Sequence, residues 1–146
     1  MTSFIKCTLV LKNPDAFKAV VLACPGVVNV SPYASDAEVE EYIRRTGADP
    51  GKVEMIVDMG WTFYPDDKSW ESDAPMGLAQ KRLNAQFPAM HVSCGNHDEM
   101  GLFESAKAFA DLAKTRGVKT TWEELNGGHC VMDTEGMARF LVEPTR

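Results

Sequence analysis

The chain has 146 residues, 45% of them hydrophobic and 25% charged, with a net charge of −6. That is enough apolar material for one packed core, and it is not the composition of a disordered segment. The acidic balance and the lack of a basic stripe argue against nucleic acid or an anionic membrane surface as partners. No apolar run approaches the roughly 20 residues that span a bilayer.

The N-terminus carries Lys6 inside its apolar run and no small-residue cleavage site, so it does not read as a signal peptide. Phe4, Ile5, Thr8, Leu9 and Leu11 are spaced as one face of a helix, which Asn13-Pro14 ends. Phe17 to Cys24 is a short continuous apolar run, suited to a strand buried on both faces, and Pro25-Gly26 stops it. Ser35-x-x-Glu38 is a capping box opening a charged helix that runs to about Thr46, with Gly47 as its stop. Asp49-Pro50-Gly51 reads as a turn. The type of the apolar stretch from Val53 to Met59 is left open. WTFYPDDKSW after it reads as an aromatic, turn-rich loop.

Ser72-Asp73 is expected to cap a short helix that has Pro75 in its first turn and reaches about Leu83. Met90 to Cys94 reads as the next strand, ending at Gly95. Leu102, Phe103, Ala106, Phe109, Ala110, Leu112 and Ala113 give the following helix its apolar face, and Gly117 caps it. Thr120 to Leu125 is a further strand. A last helix starts near Thr134, with Met137, Phe140 and Leu141 on one face. Strands alternating with helices predict an α/β fold, a parallel wound sheet with flanking helices. Only three strands emerge, and a helix opens the chain with no strand before it. Both point to one incomplete domain over 1–146, with a variable aromatic loop or cap region at about 33–74.

The chemistry gathers at two turns. Asp98 follows the Met90 strand, and His129 follows the Thr120 strand after Gly127-Gly128, about thirty residues on. Both lie past the carboxyl ends of strands, where open α/β sheets carry their sites. An aspartate there can hold an imidazole in one tautomer while the imidazole acts as general base. The plainer reading of Asp98 is a helix cap or turn residue. Glu99 is a rival acid, expected to point elsewhere. His91, His97, His129 and Cys130 match no zinc signature, so no metal and no cofactor is expected. The four cysteines (Cys7, Cys24, Cys94, Cys130) contain no C-x-x-C and are expected to be reduced and mostly buried, in the cytoplasm. A Cys24–Cys94 bridge between neighbouring strands is the exception to be checked.

CGNHD after a strand, an amphipathic helix, and a strand ending in GGHC resemble the C-terminal part of the α/β-hydrolase fold. The resemblance is to its esterase-like members: tributyrin and feruloyl esterases, S-formylglutathione hydrolases and enterochelin esterases. LVLKNPDAFKAVVLACP resembles the helix after the nucleophile and the next strand of that group. The resemblance covers most of the chain apart from 33–70. It implies Asp98 as triad acid and His129 as triad base, in the order serine, acid, histidine. It implies a small-molecule ester substrate. Trp61, Phe63 and Tyr64 of the aromatic loop, with Met100, are candidate pocket residues in their own right, since such pockets are mostly apolar; the plainer reading is that the aromatics plug the core beneath the loop.

No G-x-S-x-G occurs in the sequence. Aligned on LKNP, Met1 falls directly after the nucleophile. Ser3, Ser93, Cys94 and Cys130 are poor substitutes, and no nucleophile is assigned. The expectation is therefore a chain that supplies acid and base but is inactive alone. It would self-associate or pair with an N-terminal half. The alternatives are a non-catalytic fragment, a subunit that completes a hydrolase with another chain, or a small-ligand binding module.

Overall fold

A computed structural model describes residues 2–129 and 131–143. Three strands, β1 (Ala19–Ala23), β2 (Ala89–Gly95) and β3 (Thr120–Leu125), form a parallel sheet in the order β1-β2-β3. Ala19 lies opposite Ala89, and Met90 opposite Thr120. The central strand β2 is buried along its whole length, as a strand flanked on both edges and covered on both faces must be. The expected mixed α/β architecture, a parallel sheet with flanking helices, is what the chain adopts.

Alternation along the strands sorts the side chains. Val20, Leu22, Met90 and Val92 face the helices α1 (Thr2–Lys12), α5 (Pro75–Arg82) and α6 (Leu102–Thr115), in one apolar cluster with Cys7, Leu11, Leu78 and Phe109. Towards the carboxyl end of the sheet, Cys24 and Cys94 belong to a second cluster. It holds Val28, Val30, Tyr42, Val53, Ile56, Leu102 and Ala106 and lies beneath α2 (Asp36–Thr46) and α3 (Pro50–Phe63). His91 has the opposite orientation on β2, and its ring packs 5.6 Å from Phe140 of α7 (Thr134–Val142). The final helix therefore covers the other face of the sheet.

Local signals explain most boundaries. The Glu38 carboxylate accepts from the Ser35 N–H at 2.7 Å, and Gly47 ends α2 with φ of 69°. The stretch from Asp49 to Asp73 corrects three readings. Asp49-Pro50-Gly51 is the start of α3: Asp49 Oδ1 accepts from the Lys52 N–H, and Pro50 occupies a first-turn position, where its missing N–H costs nothing. The open stretch from Val53 to Met59 is the middle of this helix, which buries Val53, Ile56 and Gly60. The aromatic segment is mostly helical, because Trp61 and Phe63 end α3 and Trp70 sits in α4 (Asp67–Asp73). Ser72 and Asp73 therefore close α4, and Ala74 precedes α5.

Candidate functional site

β2 and β3 run parallel in register, so their carboxyl ends deliver two turns side by side. Backbone hydrogen bonds stitch these together: Asn96 N–H to Leu125 O and His97 N–H to Gly127 O, both 2.9 Å. The Asn96 side chain adds a bond from Gly127 N–H at 3.3 Å. Gly95 is what lets the turns approach. A Cβ at that position would strike the carbonyl oxygens of both Gly127 and Gly128.

This stitching brings Asp98 and His129 together. His129 Nδ1 lies 2.8 Å from Asp98 Oδ2; the aspartate side chain is fully buried and the imidazole is 21% exposed. The other carboxylate oxygen, Oδ1, accepts the backbone N–H of Met100 at 2.8 Å and of Leu102 at 3.4 Å, where α6 begins. Asp98 thus serves as both helix-start acceptor and imidazole partner, one oxygen for each. An ionised carboxylate only accepts, so the ring must carry its proton on Nδ1. That leaves Nε2 as the basic nitrogen.

Glu99 is turned toward the histidine's backbone. It accepts the His129 N–H at 2.9 Å and pairs with Lys52 Nζ at 2.7 Å. Lys52, with help from the His129 N–H, lowers the Glu99 pKa to about 2. Two further braces come from the 33–74 region. Tyr42 Oη donates to Gly101 O at 3.0 Å, and Asp49 N–H donates to Glu99 O at 2.8 Å. Burial, followed by the nearby Asp98, pushes the Tyr42 phenol up to about 12, so it stays a neutral donor. Neither Lys52 nor Tyr42 stands out in the sequence. The hydroxyl at a buried helix position was the only available signal for Tyr42, and Lys52 offered none.

The three candidate pocket residues are separated. Phe63 lines a cavity of about 500 Å³ with Thr8, Leu9, Lys12, Tyr64 and Asp73. Trp61 lines another, with Pro32, Val39 and Val57, and its Nε1 donates to Pro32 O at 2.7 Å. Neither cavity is lined by Asp98 or His129. The Met100 side chain packs against the cluster beneath α2 and α3.

Among the weighed nucleophiles, Ser93 is fully buried on the β2 face opposite to Cys94. Cys94 is fully buried too, with its sulfur 3.1 Å from Cys24 Sγ and 3.8 Å from Asp98 Oδ2. Contact with Cys24 and burial both raise its pKa, which suppresses the thiolate a nucleophile needs. The two sulfurs are well beyond the ~2.05 Å of a disulfide bond. Met1, Cys130 and the side chain of Ser3 lie outside the described residues.

Of the histidines considered as metal ligands, His91 Nδ1 is 2.8 Å from Thr121 Oγ1, and His97 is exposed. Among the described residues, the acidic and thiol groups that do converge are Cys24, Cys94 and Asp98, whose ligand atoms all lie within 4.8 Å of one another. No helix of the described chain is long and apolar enough to cross a membrane. No family model, no curated protein and no solved structure matches this chain.

Proposed function

We propose that the chain supplies the acid and base of a serine carboxylic-ester hydrolase of the α/β-hydrolase kind. The observation that carries this reading is the 2.8 Å contact between His129 Nδ1 and a fully buried Asp98 carboxylate at the carboxyl edge of a parallel sheet. In the reaction, His129 Nε2 takes the proton of a serine hydroxyl as it attacks an ester carbonyl. Asp98 fixes the Nδ1–H tautomer and stabilises the imidazolium that forms. His129 returns the proton to the leaving alcohol. Water then enters under the same base and releases the acid. The serine comes from a segment N-terminal to this chain or from a separate chain, and β1, an edge strand, favours such a partner. The substrate is a small ester, and the setting is the reducing cytoplasm.

The test is turnover of p-nitrophenyl acetate with fluorophosphonate labelling. The chain alone is expected to show neither. A chain extended upstream through a G-x-S-x-G segment is expected to show both. There, Asp98→Asn should lower kcat by about 10⁴-fold, as a wrong-tautomer histidine does. Esterase activity in the extended chain that survives His129→Ala would overturn the assignment, as would serine-reagent-sensitive turnover by the chain alone.

A further inference from the structure

We propose that Cys24, Cys94 and Asp98 form a binding site for a single thiophilic divalent ion, of the zinc or cadmium class. The site follows from the sheet and does not rest on the hydrolase reading. Cys94 is the penultimate residue of β2, and Cys24 follows β1 directly, its N–H donating to Ser93 O at 2.7 Å. Parallel pairing then projects both sulfurs from the same face, 3.1 Å apart. Asp98, one turn further on, brings Oδ2 to 3.8 Å from Cys94 Sγ. Cys24 holds φ of 40°, a left-handed conformation uncommon for any residue but glycine, and such strain gathers where a side chain must be aimed.

The distances suit an ion. Two ligands each ~2.3 Å from a tetrahedral zinc lie about 3.8 Å apart. The Cys94–Asp98 sulfur–oxygen pair, at 3.8 Å, is within a few tenths of an ångström of the roughly 3.6 Å that such a pair spans on zinc, and the two sulfurs need to open by about 0.7 Å. Two thiolates beside one carboxylate select a soft, tetrahedral cation over magnesium or calcium. Both cysteines are fully buried and Asp98 is 4% exposed, so the three protein donors are shielded from bulk solvent and the fourth tetrahedral position is left to a water that enters with the ion. Uptake converts two thiols to bound thiolates and releases two protons, and the divalent cation offsets the two thiolate charges so formed. Asp98 Oδ2 is also the partner of His129 Nδ1. A bound ion therefore competes with the imidazole for that oxygen.

The experiment adds Cd²⁺ to the reduced chain and follows the ultraviolet thiolate-to-metal charge-transfer band, with proton release recorded by calorimetry in buffers of different ionisation enthalpy. Saturation at one ion per chain is expected. The band should be lost in Cys24→Ser and in Cys94→Ser, weakened in Asp98→Asn, and retained in Cys7→Ser and His129→Ala. Cadmium NMR of the unsubstituted chain, which needs no variant to fold, is expected to report a site with two thiolate ligands. A reduced chain that takes up no ion overturns the proposal, whether or not its thiols can be oxidised to a disulfide. So does a band that persists when either Cys24 or Cys94 is replaced.

Discussion

Asp98 divides its two oxygens between the start of α6 and the His129 ring, and Glu99 takes the backbone of the same histidine. Adjacent carboxylates thus hold one residue at two points. The Glu99 contact has a pH signature. Its folded pKa is lowered from 4.5 to about 2, chiefly by Lys52. The folded state therefore binds fewer protons than the unfolded chain in that window. The stabilisation is fully present above 4.5 and is lost as pH falls toward 2. Urea midpoints measured across this range should show an acid limb that flattens in Glu99→Gln and in Lys52→Met. An unchanged limb in both variants would show that the bridge does not contribute. Asp98 and His129 were legible because each lies in a glycine-marked turn just past a strand's carboxyl end, a local pattern. Lys52 and Tyr42 were not, because their roles arise only when α2 and α3 fold over the Asp98 turn.

At the scale of elements, the capping box at Ser35 and the glycine at 47 marked α2 unambiguously, since each local choice agrees with the others. α3 was obscured by conflicting cues. Its Asp-Pro-Gly start also suits a turn, and its aromatic end runs into Pro65. Yet Val53, Ile56 and Gly60 already fall on one helical face. The β2 and β3 turns form the other decisive unit, and Gly95 sets their separation. Gly95→Ala should force two backbone carbonyls away and destabilise the chain by about 1–3 kcal/mol, as overpacking does. It should also shift or remove the His129 Nδ1–H proton resonance. Gly47→Ala is the informative control: its Cβ meets nothing within 4 Å, though φ is 69°. It should cost the left-handed penalty of about 1–2 kcal/mol but leave the imidazole signal in place. Equal effects on the resonance would mean that Gly95 does not position the dyad.

For the whole molecule, β1 is decisive. It bonds to β2 and, among the described residues, forms one edge of the sheet. Its Val20 and Leu22 are buried, whereas Ala19, Val21 and Ala23 are half-exposed. Large apolar side chains elsewhere are also open to water, among them Leu9 on α1, Phe63 at the end of α3, and Leu141 and Val142 on α7. An apolar edge strand is a template for another strand, and among the described residues Lys18 just before it is the one charged residue adjoining this edge. The chain by itself should therefore self-associate. Sedimentation velocity over a range of concentrations should show species larger than the monomer, and Val21→Lys should shift the distribution toward the monomer without loss of helical circular dichroism. Covering the same edge with an upstream segment should do the same. That links the test to catalysis: if β1 is the seam to a serine-bearing partner, the Val21→Lys chain should also fail to gain esterase activity when that partner is supplied in trans. A monomeric, cooperatively melting chain at high concentration would show that β1 needs no neighbour, and would remove the physical ground for a two-part hydrolase.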